Sequence, residues 1–170
     1  MEREALVKGK AWVFGDNINT ESIMPTGTDW NPALAAETTL KFYDPEFAPN
    51  VKSGDIVVGG MNFVNSSSRS AGQVFLYLEV PVLVVESSAR VFFRNTWNIG
   101  VPVLECPGIT KLVSKGDILE VDIPNGKIKN VTTGAEAQAQ KPIDLLIERW
   151  KIGGLTEWVK AHPEDYPGMR

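Results

Sequence analysis

Residues 54–106 read GDIVVGGMNFVNSSSRSAGQVFLYLEVPVLVVESSARVFFRNTWNIGVPVLEC, and this stretch decides the fold. Three short apolar runs, IVVGG, PVLVVES and VPVLEC, have the composition of buried strands. Between them lie AGQVFLYLEV and ARVFFRNTWN, whose apolar residues recur at helical spacing. An order of strand, helix, strand, helix, strand within about 50 residues predicts parallel strands joined by right-handed crossovers.

The segments before this stretch and the boundaries within it carry further local signals. GKAWVFG at residues 9–15 predicts a strand, and DNINTESIMPTGTDWNP at residues 16–32 predicts a long polar loop. Ser87-Ser88 is expected to cap the second helix of the stretch, and Gly100 to end it in the left-handed conformation. These residues predict where the second helix of the stretch begins and ends.

The pattern changes after Cys106. GDILEVDIP and KIKNVTTG flank Asn125-Gly126, a strong hairpin signal. Two helices are predicted further on, one over residues 142–150 and one in LTEWVKAH, separated by Gly153-Gly154. We therefore predict one α/β domain over residues 1–170, with parallel central strands and antiparallel additions.

Composition excludes several function classes. The net charge is −4 with scattered basic residues, which argues against nucleic acid as a partner. No apolar run is long enough to span a membrane, and MEREALVKGK has no apolar signal region, so we expect a cytoplasmic protein. Cys106 is the single cysteine and His162 the single histidine. An internal disulfide, a metal or cluster site built from this chain's thiolates alone, and a histidine-driven triad are therefore not expected.

The serine-rich segment NSSSRS at residues 65–70 joins a predicted strand to a predicted helix, where ligands gather in parallel α/β sheets. Backbone N–H groups at a helix start favour an anion, and Arg69 can grip a carboxylate through two hydrogen bonds. The alternative is that the serines only cap the helix and Arg69 forms a surface ion pair. Both interpretations stay open from the loop alone, but no GxxxxGK[ST] motif supports a nucleotide phosphate loop.

Three ordered motifs resemble a known family. DNINTESIMP resembles DNIDTDxIIP, GDIVVGGMNFVNSSSRSAG resembles GDIIVAGxNFGCGSSREHA, and ESSARVFFRNTWNIGVPVLEC resembles xSFARIFYRNAxNxGLPxxxC. These are motifs of the small subunit of 3-isopropylmalate dehydratase, the swivelling domain of the aconitase superfamily. The likeness runs from about Lys8 to Trp158. It implies a single swivelling β/β/α domain.

The resemblance implies a hydro-lyase of leucine biosynthesis that removes water from a malate-like diacid and adds it back one carbon over. It implies that a large partner subunit holds a [4Fe–4S] cluster and that this chain binds no cofactor itself. Ser67 would be the catalytic base and Arg69 the clamp on a substrate carboxylate. The other substrate-binding residues come from the same motif and from the family's specificity loop: Ser66, Ser68, Thr26, Gly27 and Thr28.

The chain departs from the family pattern at four places. Gly-Cys-Gly is Val64-Asn65-Ser66, Glu-His is Ser70-Ala71, and Asp-Thr-Asp is Asn19-Thr20-Glu21. The specificity loop, residues 25–30, lacks the family's arginine. Loss of the glycines predicts a restricted backbone. Loss of the arginine predicts a substrate other than 3-isopropylmalate, such as 2,3-dimethylmalate or a citraconate-like acid. The alternative is a non-catalytic relative that binds an anion or regulates a partner.

Other polar residues near these motifs have simpler interpretations. Asp16 and Asn17 are expected to hold the first loop through side-chain-to-backbone hydrogen bonds, with a ligand role second. Arg90 and Arg94 lie four residues apart on one predicted helical face. We expect them to pair with surface or partner charges rather than with substrate.

Overall fold

The computed structural model describes residues 3–28, 31–65 and 71–166. Within them, the strands are β1 (Leu6–Val13), β2 (Ile56–Gly59), β3 (Leu83–Val85), β4 (Val103–Glu105), β5 (Ile118–Asp122), β6 (Lys127–Asn130) and β7 (Glu136–Gln138). The helices are α1 (Thr20–Ile23), α2 (Pro32–Ala36), α3 (Phe47–Asn50), α4 (Gly72–Tyr77), α5 (Arg90–Asn98), α6 (Asp144–Lys151) and α7 (Leu155–Ala161). A short 3₁₀ turn covers Ile109–Lys111.

The strands form one mixed sheet in the order β4-β3-β2-β1-β5-β6-β7. From β1 to β4 every neighbouring pair is parallel, so that Val58 lies beside Val13 on one side and Val84 on the other. All residues of β2 and β3 are buried, as expected of strands covered on both faces. The predicted parallel strands and their helical crossovers are confirmed, and β1 joins the same parallel group.

The rest of the sheet is antiparallel. β5 pairs with β1, β6 with β5, and β7 with β6. Residues of β6 alternate between exposed and buried, the pattern of a sheet with one face in solvent. The predicted hairpin is confirmed, with Gly126 at φ 67°, although β5 ends at Asp122 and the connection is longer than two residues. β7 was not predicted from the sequence, because it is only three residues long and two of them, Glu136 and Gln138, are polar.

The prediction of one long loop over residues 16–32 is wrong, because α1 and α2 begin there. Asn19 accepts a hydrogen bond from the Ser22 N–H at 2.9 Å, and Asn31 accepts one from the Ala33 N–H at 2.9 Å. Both asparagines therefore cap short helices, and Pro32 occupies a first-turn position that tolerates it. The polar residues that indicated a loop are helix-starting residues.

The prediction that Ser87-Ser88 caps α5 is also wrong. α5 begins at Arg90 after Ala89, and no side chain caps it. Both serine hydroxyls bond elsewhere at the ends of β2 and β4. The predicted end of the helix is confirmed, since Gly100 follows it at φ 86°.

Two aromatic clusters mark the core. Phe63, Phe75 and Phe92 meet with ring centroids 6.2–6.5 Å apart. Phe47 meets Trp12 at 5.3 Å in an edge-to-face contact. Among the residues described, no helix is long and apolar enough to cross a membrane.

Candidate functional site

The parallel strands bring the polar loops that follow them to one edge of the sheet. Backbone hydrogen bonds continue beyond the strand ends: Gly60 donates to Gly15 at 3.2 Å, and Cys106 donates to Val85 at 2.7 Å. Glu86 likewise donates its N–H to Gly59 at 3.0 Å. The loops after β1, β2, β3 and β4 are thus fixed beside one another where ligands bind in open α/β sheets.

Asp16 and Asn17 fasten the loop after β1 to the loop after β2. The Asp16 carboxylate accepts the Met61 N–H at 2.7 Å, and the Asn17 N–H donates to the Met61 carbonyl at 2.9 Å. The Asn62 amide donates to the Asn17 side chain at 2.9 Å. The loop-holding interpretation is confirmed for Asp16, whereas the Asn17 side chain bonds another side chain rather than backbone.

The approach to the serine-rich segment is fixed from two sides. The Asn62 N–H donates to the Ser87 hydroxyl at 2.8 Å, and the Phe63 N–H donates to the Ser87 carbonyl at 2.9 Å. The Asn65 N–H donates to the Ile18 carbonyl at 3.0 Å. Ser87 was expected to be only a cap. Its place directly after a buried strand is the sequence signal that could have assigned it to this edge.

The backbone before the serine-rich segment adopts an unusual conformation. Asn17, Asn62 and Val64 have φ values of 57°, 56° and 59°, in the left-handed region. Asparagine tolerates this region, but a β-branched residue rarely adopts it, and each such residue costs about 1–3 kcal/mol. Val64 occupies a glycine position of the family pattern and is fully buried. The sequence predicted a restricted backbone where the glycine is lost. The structure shows valine at this position in a conformation that glycine normally adopts.

The predicted catalytic residue and the motif around it lie outside the described residues: Ser66, Ser67, Ser68, Arg69 and Ser70. Their roles remain predictions. The structure describes the two residues that flank them, Asn65 and Ala71. Ala71 is 1% exposed and precedes α4, so the position of the family's histidine is an apolar core contact.

Thr26, Gly27 and Thr28 form a turn after α1. The Thr26 N–H and hydroxyl both donate to the Glu21 carboxylate, and the Thr28 hydroxyl donates to the Pro25 carbonyl at 2.8 Å. Thr26 and Gly27 are exposed, and Thr28 is half-buried. The turn belongs to the same loop, residues 14–28, whose Ile18 carbonyl holds Asn65. Substrate contact by these three residues remains a prediction, and Asp29 and Trp30 of the loop lie outside the described residues.

Two titratable groups at this edge are perturbed. The Thr110 hydroxyl donates a hydrogen bond to Glu86 and holds the pKa of that carboxyl below its ordinary value. Burial raises the pKa of the Cys106 thiol, which is 2% exposed. Cys106 is thus a protonated core thiol at neutral pH.

A [4Fe–4S] cluster does not fit the residues of this chain. Such clusters are held by several cysteine thiolates, whereas this sequence has only the buried Cys106. In the part of the chain that the structure describes, no group of three or more His, Cys, Asp or Glu residues is arranged to hold a metal ion. A cluster that acts with this chain must therefore be held by another one.

The fold and this edge define an α/β domain with a loop-built site at the carboxyl ends of its parallel strands. No family model matches the chain. It is 39% identical over 159 residues to the isopropylmalate/citramalate isomerase small subunit of Methanocaldococcus jannaschii, covering 92% of this chain and 95% of that protein. It is 41% identical over 157 residues to the 3-isopropylmalate dehydratase small subunit of Aquifex aeolicus, covering 90% and 94%.

A solved structure agrees with these sequence relatives. The crystal structure of 3-isopropylmalate dehydratase from Methanocaldococcus jannaschii superposes with a TM-score of 0.86 at 29% identity, over 95% of this chain and 98% of that one. The chain belongs to the 3-isopropylmalate dehydratase small-subunit family. The predicted family and the predicted α/β fold are both confirmed.

Proposed function

We propose that this chain is the small subunit of a heteromeric hydro-lyase that dehydrates and rehydrates a malate-like hydroxy diacid. The observation that carries the proposal is the retained Ser67-Ser68-Arg69 motif, in a chain with relatives named as dehydratase small subunits. A large partner subunit would hold the [4Fe–4S] cluster, because the single thiol of this chain cannot. The whole chain, residues 1–170, would act as one swivelling domain.

The predicted residues suit proton removal beside a carboxylate. Arg69 would hold a substrate carboxylate through two parallel hydrogen bonds, and Ser66 and Ser68 would add hydroxyl donors. The adjacent carbon would lose its proton to the Ser67 oxygen. The electron pair left behind would form the carbon–carbon double bond as the neighbouring hydroxyl departs. A serine oxygen is a weak base, so these donors must be preorganised around it.

Substituted malates are the proposed substrate class. One relative is named for isopropylmalate and citramalate, and another for 3-isopropylmalate alone. The turn of Thr26, Gly27 and Thr28 replaces a family stretch that contains an arginine, and we propose that it lies beside the substrate's side group. A small group is favoured there, as in 2,3-dimethylmalate or the hydrate of citraconate.

A non-catalytic relative is the second candidate. It is favoured by Ala71, which is buried where the family has a histidine and has no side-chain donor with which to brace the serine-rich segment. Such a protein would keep Arg69 for anion binding without using Ser67 as a base. The two candidates therefore differ in what Ser67→Ala does.

The experiment uses this chain purified anaerobically with its cluster-bearing partner. Hydration of citraconate, dimethylmaleate and isopropylmaleate is followed by loss of alkene absorbance. In Ser67→Ala we expect kcat to fall by about 10²–10⁴-fold with little change in KM, because the base acts in the transition state. The exposed Ser53→Ala is the matched control. Full turnover by Ser67→Ala would remove the catalytic role, and a loaded complex that hydrates none of the acids would favour the non-catalytic relative.

A further inference from the structure

A cavity of about 460 Å³ opens between the beginnings of α5 and α6, beside the end of β4. Its volume lies within the range of small-molecule sites. The lining residues that matter here are Arg90, Phe93, Arg94, Glu105, Lys141 and Leu146. The described residues predicted to bind substrate, Thr26, Gly27 and Thr28, do not line it.

Three cations line this cavity in a chain whose net charge is −4. Arg90 and Arg94 lie one turn apart on α5, and Lys141 precedes α6 on a separate segment. The ion pairs of the described residues involve other lysines, so these three cations have no acidic partner there. Unpaired cations that converge from two segments attract a carboxylate or phosphate.

One acidic residue, Glu105, also lines the cavity and offsets part of this positive charge. Glu105 accepts hydrogen bonds from the Ser88 N–H at 2.9 Å and from the Ser88 hydroxyl at 2.8 Å. This pair joins the end of β4 to the loop that follows β3. Glu105 keeps its negative charge while it accepts these hydrogen bonds, so the lining carries three positive charges and one negative charge.

Both helices present their first backbone N–H groups without a capping side chain. α5 follows Ala89 and α6 follows Ile143, and neither residue can accept a hydrogen bond through its side chain. The positive ends of the two helix dipoles add to the charge of the side chains, with Asp144 in the first turn of α6 offsetting part of the second dipole.

The rest of the lining combines the polar residues Ser87, Ser88 and Gln140 with an apolar patch. Phe93 and Leu146 are half-buried against the core, and Val103 contributes from β4. Ile143 is 64% exposed at the rim. Covering these side chains with an apolar group would remove hydrocarbon surface from water, a favourable change of about 25 cal/mol per Å².

We propose that this cavity binds a small organic acid, with its carboxylate held by Arg90, Arg94 and Lys141 and a short branched or aromatic body against Phe93 and Leu146. An acidic segment of a protein partner would match the charge. The cavity volume and the apolar patch beside the cations favour a small molecule over a peptide segment.

The test is calorimetric titration of the full chain with 3-methylbutanoate and with phenylacetate. We expect saturable binding, weaker by about tenfold or more in Arg94→Gln, because a hydrogen bond to a charged group is lost. Lys129→Gln, an exposed lysine on β6, is the matched control and should bind as the native chain does. The neutral 3-methylbutanamide should bind about tenfold more weakly than the acid.

Three results would overturn the proposal. The first is that neither acid binds, and the second is that Arg94→Gln binds them as tightly as the native chain does. The third is that inorganic phosphate binds as tightly as the acids, which would mean that the apolar lining does not contribute to binding. If the acids fail to bind and Arg94→Gln instead weakens association with the cluster-bearing subunit, the surface belongs to a protein interface.

Discussion

The two halves of the sheet are built in different ways. In the antiparallel half, β5–β7, buried polar groups are fully bonded, as in the network around Asn130. In the parallel half, β1–β4, the loops at the strand ends hold Asn17, Asn62 and Val64 in left-handed conformations. Strain of this kind gathers at functional sites and is maintained by the structure around it. Asn65, the described residue next to the serine-rich segment, is held by the Ile18 carbonyl in the strained half.

β1 belongs to both halves, because it pairs with β2 on one edge and with β5 on the other. The antiparallel half can therefore stabilise the strand whose following loop carries Asp16 and Asn17 without contributing a predicted site residue. If the halves divide their roles in this way, changes in the antiparallel half should lower stability alone. Changes at the strand ends of the parallel half should lower both stability and turnover.

The largest expected effect is in the antiparallel half. The Asn130 amide donates to Leu112 at 2.9 Å and to Asp117 at 2.7 Å, and its oxygen accepts from Thr132 at 3.1 Å and Thr133 at 3.2 Å. It is 2% exposed. Asn130→Ala should lower the free energy of unfolding by about 3–4 kcal/mol, because it removes four hydrogen bonds that contribute about 1 kcal/mol each. Urea unfolding measures this loss.

The same variant tests the division of roles. Asn125→Ala, in the exposed hairpin connection, is its control and should cost less than about 1 kcal/mol. In the complex with the partner subunit, turnover per folded Asn130→Ala chain should equal that of the native chain. A lowered kcat in fully folded Asn130→Ala would show that the two halves are not separable.

The second effect compares two glycines at neighbouring strand ends. A Cβ on Gly60 would collide with the Asp16 carboxylate and lie 2.8 Å from the Asp16 nitrogen, whereas a Cβ on Gly15 would meet no atom within 4 Å. Gly60→Ala should lower the free energy of unfolding by about 2 kcal/mol, the usual cost of overpacking. Gly15→Ala should change it by less than about 1 kcal/mol. Thermal unfolding of both variants checks the difference.

Gly60→Ala should also lower turnover, because it separates Asp16 from Met61 and loosens the loops that flank the serine-rich segment. Native turnover in a folded Gly60→Ala complex would mean that this contact supports folding only. Gly15→Ala again provides the comparison, since it leaves the Asp16 carboxylate in place.

Much of the parallel half could be predicted from the sequence, because its strands and helices carry strong local signals. The runs at residues 56–59 and 83–85 are apolar throughout, and Gly100 marks a helix end. α1 and α2 could not be predicted, because Asn19 and Asn31 favour loops and helix caps alike. Whether such an asparagine caps a helix depends on which backbone N–H its side chain accepts, and this is seen only in the structure.

Only part of the predicted site could be derived from the sequence. Ordered motifs located the serine-rich segment, but the contacts that fix its flanks join residues far apart in sequence, such as Asp16 and Met61. Loss of glycine at position 64 predicted a restricted backbone, but not that valine would keep φ at 59°. The cavity at α5 and α6 could not be predicted, because Arg94 and Lys141 line it together although they lie far apart in sequence.

A smaller effect is expected at Val64, where two terms oppose each other. Val64→Gly removes about 2 kcal/mol of stabilisation that comes from burying the valine side chain. It also relieves about 1–3 kcal/mol of strain from the left-handed backbone conformation. The free energy of unfolding should therefore change by less than about 1 kcal/mol. Val84→Gly, equally buried but in β3, has no strain to relieve and should cost more than about 3 kcal/mol. Equal losses in the two variants would show that Val64 is not strained.

The smallest effect concerns the acid stability of the parallel half. Glu86 follows β3 and Thr110 follows β4, and the hydrogen bond from Thr110 holds the pKa of Glu86 below its ordinary value. Because the folded state prefers the ionised carboxyl, this stabilisation is present above the ordinary pKa and is lost as the pH falls through the lowered one.

Thr110→Val removes the donor, so its stability should fall less steeply than that of the native chain between about pH 5 and pH 3. Urea unfolding at a series of pH values measures both slopes, and the exposed Thr156→Val serves as the control. The difference should be small, because Glu86 is only half-buried and solvent weakens the interaction. Identical slopes in the native chain and Thr110→Val would mean that the hydrogen bond does not join the ends of β3 and β4 in solution. The strained edge would then depend on its other contacts, such as those of Asp16 with Met61 and of Ser87 with Asn62.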